Sequence, residues 1–335
     1  MLSSSLAVDK SGPHRSRLRF RAAFLVALAT TLPVASAFAR PSASTTAVSE
    51  ATPHARLMHV AMHDVVLYPY DDVAAAITAL DGQVRPERPP HPIVMDDVTS
   101  YWIDVDSASA RLTADDMTHL MNHHVLPLAH TPIKEVTVHF GQNQISMAGT
   151  MVKLALPIPF TATATLAPTT NGDLRIHVVS MQAAGIIPKQ LIDSLGLPLS
   201  TLAQPTNTNV FHIEGDDLIV PVLSMFPPPR IGGRVTAVHV SPAGLDIILG
   251  RPPSQPASAP SAITFRGGTL VFAKLTMRDT DLTVISDNAA QRLAFSPAHY
   301  YAQLEAGETR SLPSFGLLAR VRNFQLIQPA AAPAP

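Results

Sequence analysis

The 335-residue sequence predicts an α+β fold, with antiparallel strands dominating and a few helices on one side. Three observations carry this. The stretch "FTATATL" (160–166) alternates without a fault, Phe160, Ala162, Ala164 and Leu166 against Thr161, Thr163 and Thr165, as a half-buried strand does. Similar runs flank it, separated by short turn signals such as Asn171-Gly172. One clear helical stripe stands just upstream: Met117, Leu120, Met121 and Val125.

Taken in order, the first elements are less uniform. "RLMHVAMHDVVLYPY" (56–70) is rich in β-formers and reads as a strand. "DDVAAAITAL" (71–80) reads as a short helix, with Val73, Ile77 and Leu80 on one face and Gly82 as its stop. "RPERPPHP" (85–92) is a connector, and "SYWIDVDSASARL" (100–112) a strand holding the only tryptophan, Trp102. The helix after it has Thr113 as N-cap, Asp115 and Asp116 in its first turn, Leu112 and Met117 at the staple positions, and Pro127 as its close.

A four-strand meander follows: 133–140, 144–156, the "PFTATATLAP" strand, and 173–185. A second helix is expected over "PKQLIDSLG" (188–196), started by Pro188, stopped by Gly196 and striped by Leu191, Ile192 and Leu195. Residues 209–222 read as a strand pair or one bent strand, and 233–250 as a hairpin turning at "SPAG". Two more strands are expected over 263–288, and a helix over 296–307.

The N-terminus has the make-up of a secretory signal peptide. Lys10, Arg15, Arg17, Arg19 and Arg21 precede an apolar run of 16 residues, Ala22 to Ala37, and then Ala37-Phe38-Ala39. Thr30, Thr31 and Pro33 interrupt a run already short of the ~20 residues that span a membrane. Cleavage after Ala39 is therefore expected, retention as an anchor being the alternative. It would remove five basic residues and one acid, taking the net charge from −1 to −5. Such a balance disfavours nucleic acid as a partner. With no cysteine, the chain has no disulfide, thiolate metal site or cysteine nucleophile.

Chemistry is sparsely advertised. Asp116, His119 and His123 share a helix face and could chelate, but they lie beside the apolar stripe, where surface histidines are common. His54, His59 and His63 match no ligand spacing. Neither H-E-x-x-H nor G-x-S-x-G occurs. Gly232-Gly233 and Gly267-Gly268 read as turns, and the same-face pairs Asp104/Asp106 and Asp279/Asp281 as solvated acids. No catalytic residue, resident metal or cofactor is expected, which turns attention to binding. Ala162 and Ala164 fill little of a core. Either a helix packs closely there, or the sheet leaves an apolar slot.

The helix "LTADDMTHLMNHHVL", followed by "IKEVTVHFGQNQISMAGTMVKLALPIPFTATATLAPTTNGDLRIHVVSMQAAGIIPKQLIDSLG", resembles the tubular lipid-binding (TULIP-like) bacterial envelope proteins, especially the LmeA-type phospholipid-binding family. The resemblance covers about residues 105–250 and rests on the order of elements. It implies a strongly curved antiparallel sheet wrapping one or two helices, with extra C-terminal strands beyond the family pattern. It also implies an exported protein of the periplasm or cell envelope, holding a phospholipid or fatty acyl chain in an apolar groove, with a membrane surface or an envelope protein as partner.

Groove candidates are Met117, Leu120, Met121, Val138, Phe140, Phe160, Ala162, Ala164, Leu166, Leu191, Ile192 and Leu195. The organisation expected is a signal peptide (1–39), a flexible leader (40–54), a main α+β domain (55–250), a Pro/Ser/Ala linker (251–262), additional strands and a short helix (263–326) that form a separate unit or complete the same sheet, and a disordered tail (327–335). Two alternatives stand beside lipid carriage: a scaffolding envelope protein with a closed core, and a metal-dependent hydrolase using the helix histidines.

Overall fold

Strand pairing, more than helix packing, builds this chain. A computed structural model describes residues 57–153, 156–183, 187–188, 207, 210–254 and 259–327. The expected signal peptide and leader, residues 189–196 of the expected helix with Leu191, Ile192 and Leu195, and nearly all of the tail lie outside the described residues. Pro188, expected to start that helix, instead belongs to a short strand, Ile187–Pro188, paired at Gln182.

In chain order the strands are β1 (Met58–Tyr70), β2 (Val73–Pro86), β3 (Ile93–Val94) and β4 (Tyr101–Leu112). A helical segment follows, made of α1 (Ala114–His119), a π-helical turn (Leu120–Val125) and α2 (Leu126–Ala129). Then come β5 (Ile133–Phe140), β6 (Ile145–Lys153), β7 (Leu156–Pro168), β8 (Leu174–Ala183), β9 (Ile187–Pro188), β10 (His212–Glu214) and β11 (Asp217–Val220). The remainder is β12 (Arg230–Gly232), β13 (Val235–Ser241), β14 (Gly244–Gly250), β15 (Ala262–Arg266), β16 (Thr269–Phe272), β17 (Leu275–Arg278), β18 (Asp281–Ser286), β19 (Ala294–Phe295), α3 (Tyr300–Glu305), β20 (Glu308–Ser311) and β21 (Leu317–Val321).

These strands form three sheets. The first has the order β13-β14-β4-β2-β1-β15-β18-β21-β20, with β12 joined to β4 and β19 to β1. The second, β10-β11-β8-β7-β6-β5 with β9 on β8, is antiparallel throughout. The third, β17-β16-β3, is small. The chain thus leaves the first sheet after β4, builds the helical segment and the second sheet, and returns through β12–β14. The meander of β5 to β8 and the β13–β14 hairpin stand where the sequence places them.

Three local expectations are corrected. Residues 71–80 are not a helix: Val73 to Leu80 belong to β2, paired with β1, and Val73, Ala75, Ile77 and Ala79 alternate inward. The alanines favour helix intrinsically, but a long cross-strand partner on each side outweighs that weak preference. Pro127 does not close the helical segment, which runs on to Ala129 and ends at His130 in the left-handed conformation. The preceding π turn has already redirected the backbone bonding, Leu126 N–H donating to Met121 O, so a proline early in α2 is tolerated. Residues 263–288 hold four strands, not two: Gly267 and Gly268, both at positive φ, break the run and admit the β16–β17 hairpin.

The cores follow the sheets. One side of the first sheet packs Val60, Ile263, Leu270, Leu282 and Leu293 with Tyr300 of α3. Each such aliphatic side chain removed from water contributes about 1.5–3 kcal/mol. Near the C-terminus a buried glutamine serves three backbone groups, while the buried Ser296 hydroxyl has no hydrogen-bond partner among the described residues. Gln303 accepts from Ser296 N at 2.8 Å and donates to Ala294 O and Arg322 O, both at 2.8 Å.

Candidate functional site

The helical segment lies against one face of the second sheet, and its sequence explains how it is held. Thr113 Oγ1 accepts from Asp116 N at 3.1 Å while Asp116 Oδ2 accepts from Thr113 N at 3.2 Å, a complete capping box. Asp116 also accepts from Ala74 N at 2.8 Å, tying the helix start to β2. Thr118 and Asn122, four residues apart, reach the free edge of β5. Thr118 Oγ1 accepts from Val138 N at 3.0 Å, and Asn122 bonds both backbone groups of Val136. A strand edge left open is a template for unwanted pairing, and here helix side chains occupy it.

Between helix and sheet lies a seam with buried Leu126, Val136, Val138, Met151, Phe160, Ala162, Val178 and Met181. Met117, Met121, Phe140 and Met147 pack against it half-buried. Five of the chain's 11 methionines therefore meet in this one cluster. Unbranched thioether side chains repack more readily than leucine or valine, which makes this wall deformable.

The sequence-derived groove candidates divide among clusters. Met117, Met121, Val138, Phe140, Phe160 and Ala162 belong to the seam. Ala164 instead lies with Ile145, Val240 and Leu245, where the β13–β14 hairpin of the first sheet comes down on β7. Leu120 and Leu166 join a third cluster with Val73, Leu112, Leu174 and Phe211. The two small residues thus have different neighbours: helix at Ala162, strand hairpin at Ala164. The close approach is fixed by Asn143 N donating to Val240 O at 3.1 Å and Val235 N donating to Gly172 O at 2.9 Å.

The helix histidines gather around one carboxylate that sequence reasoning missed. His124 Nε2 donates to Asp72 Oδ1 at 2.7 Å, His123 Nδ1 donates to Asp72 Oδ2, and His119 Nδ1 donates to the Asp72 carbonyl at 3.0 Å. Burial pushes the Asp72 carboxyl up, but the hydrogen bonds from His123 and His124 together with the His124 charge outweigh it, and its pKa falls below the ordinary value. Tyr70 stacks on His124 with ring centroids 3.6 Å apart and donates to Met225 O at 2.8 Å. Asp116 faces away, toward Thr113 and Ala74. Among the described residues no group of three or more His, Asp or Glu is placed to hold a metal ion. Asp104 pairs with Arg85 at 3.4 Å and Asp281 with Arg266 at 2.6 Å.

Two concavities flank the seam. One, of about 320 Å³, lies on the opposite face of the second sheet, lined by His139, Ser146, Thr161, Thr163, Ser180 and Gln182. Its row of hydroxyls crosses three strands, β6 to β8, and Thr163 and Ser180 share a hydrogen bond of 2.5 Å. Met147, Ala148 and Ala162 complete its lining, so polar and apolar groups are mixed there. The other, of about 210 Å³, lies at the helix end between Val125, Leu128, Val210 and Met225, with His124 and Ser224 as polar members.

No family model, no curated protein and no solved structure matches the chain. Among the described residues, no helix is long and apolar enough to cross a membrane.

Proposed function

We propose that this protein is a non-catalytic acyl-chain binder of the cell envelope, and that the seam between the helical segment and the second sheet receives the chain. The observation that supports it is the convergence of Met117, Met121, Met147, Met151 and Met181 in one helix–sheet cluster. In this reading the second sheet wraps the helical segment on a TULIP-like plan, and export brings the protein to its lipid. The concavity at Val125, Leu128 and Met225 serves as the mouth, with His124 and Ser224 toward the polar end of the ligand. Transfer from water contributes about 0.8 kcal/mol per methylene, roughly 10 kcal/mol gross for a 16-carbon chain. Ordering the ligand and parting the methionines offset a share of that gain.

A second reading has its own support. Val138, Phe160 and Ala164 are only 2%, 5% and 1% exposed, which suits a closed core and a scaffolding role. Titration with a fluorescent fatty acid separates the two. The acyl-chain reading expects saturable binding, weakened at least about tenfold in a folded Ala162→Leu variant, whose added bulk fills the seam. The scaffolding reading expects no saturable binding by either protein.

A further inference from the structure

Phe315 is 98% exposed at the tip of the β20–β21 hairpin. It sits in a tight turn, where Leu312 N donates to Gly316 O at 2.8 Å and Phe315 N donates to Leu312 O at 3.0 Å. Its φ is +62°, a left-handed conformation that a bulky side chain rarely takes and that glycine or asparagine takes more easily. The next residue is a glycine for a clear steric reason: a Cβ at Gly316 would meet Asp281 Oδ2 at 2.6 Å. Nothing of the kind requires phenylalanine at 315. An unfavourable backbone and an unfavourable exposure coincide on one aromatic ring, and such outliers cluster where a residue has a task outside the fold.

The register places other features at the same end of the first sheet. Its strands line up through His59↔Arg266, Arg266↔Asp281 and Leu282↔Leu317. The start of β1, the end of β15 and the starts of β18 and β21 therefore share one rim. Leu57, 53% exposed, enters the fold there, roughly 14 Å from the Phe315 turn across three strand spacings. Further along the rim, Arg85 pairs with Trp102 at 5.7 Å and Arg230 with Trp102 at 5.4 Å, guanidinium over ring.

Near the tip, Arg266, Arg278 and Arg310 outnumber Asp279 and Asp281 by one. Asp281 is neutralised by Arg266 at 2.6 Å, while Arg278 and Arg310, both exposed, make no ion pair among the described residues. Apolar and aromatic anchors spread along a rim, with unpaired arginines beside the most exposed of them, match an extended anionic surface better than a single socket.

We propose that this rim docks on an anionic lipid bilayer, with Phe315 entering the interface and Arg278 and Arg310 facing lipid phosphates. The inference stands apart from acyl-chain binding, since a chain that carries no lipid could dock in the same way. The absence of cysteine permits a local test. Ser314→Cys in the full chain is labelled with an environment-sensitive fluorophore and mixed with phosphatidylcholine vesicles, with and without phosphatidylglycerol.

The expected result is a blue-shifted, brightened signal with phosphatidylglycerol vesicles. It should fall about tenfold in apparent affinity with Arg278→Ala plus Arg310→Ala, and by a similar factor with Phe315→Ser. Because the probe reports only the tip, membrane attachment through the N-terminal apolar run does not by itself reproduce this signal. Brominated-lipid quenching of Phe315→Trp in excess of that of Trp102 in the unsubstituted chain repeats the measurement without a label. A solvent-like signal at every lipid concentration, or an equal response to phosphatidylcholine alone, overturns the proposal. A response to a purified partner protein but not to vesicles also overturns it.

Discussion

Asn122 bonds both backbone groups of Val136: its Oδ1 accepts from Val136 N at 2.8 Å and its Nδ2 donates to Val136 O at 2.6 Å. One helix side chain thus takes the place of a neighbouring strand at the edge of the second sheet. Asn122→Ala should leave both groups without that partner and cost about 1–3 kcal/mol in urea denaturation. Hydrogen exchange of the Val136 amide should quicken more than that of amides in the sheet interior, such as Ala162. Unchanged exchange at Val136 would mean that the edge is held by other contacts.

The C-terminal segment offers a second test. Gln303 is fully buried and serves three backbone groups, Ser296 N, Ala294 O and Arg322 O. Gln303→Leu keeps much of the volume but strands all three. The expected loss is about 3 kcal/mol or more, read as a lower urea midpoint. A near-neutral result would show that these groups find other partners.

Asp72 gives a pH signature. Its folded pKa is lowered from the ordinary 3.8, so its stabilisation is fully present above that unfolded value and is lost as pH falls through the folded one. The urea midpoint of the wild type should exceed that of Asp72→Asn at about pH 5, and the gap should close as pH falls through the lowered folded pKa. A gap that persists in strong acid would assign the effect of the substitution to something other than the carboxylate charge.

Ala164 tests the packing of the two sheets. It is 1% exposed and lies with Val240 and Leu245 of the β13–β14 hairpin. Ala164→Leu should overpack that contact and cost about 1–3 kcal/mol by thermal or urea denaturation. The same change at the outward-facing Thr165 should be nearly silent. Equal effects at the two positions would contradict the inward placement of Ala164.

These residues also show how far the sequence could be read. Alternation along 160–166 and the Asn171-Gly172 turn were enough for the meander, because its strands are sequential neighbours and each turn is local. The Thr113 cap was legible for the same reason. The pairing of β1 with β15 was not, since some 200 residues intervene and no local signal specifies it. At 71–80 the alanines argued for helix and long-range pairing on both edges prevailed. In the candidate site, the apolar stripe was visible through its 3.6-residue period. Asp72 was not, because its link to His123 and His124 spans the β2–β4 excursion. Thr118 and Asn122 left a faint signal, two polar residues four apart beside the stripe.

Acyl-chain binding is tested most directly by native mass spectrometry of the full chain, purified from an envelope extract without detergent. The account expects bound masses that match a phospholipid or fatty acid, depleted in Ala162→Leu. A clean apo mass that stays unchanged after incubation with lipid vesicles would contradict it, and the methionine seam would then be a closed core.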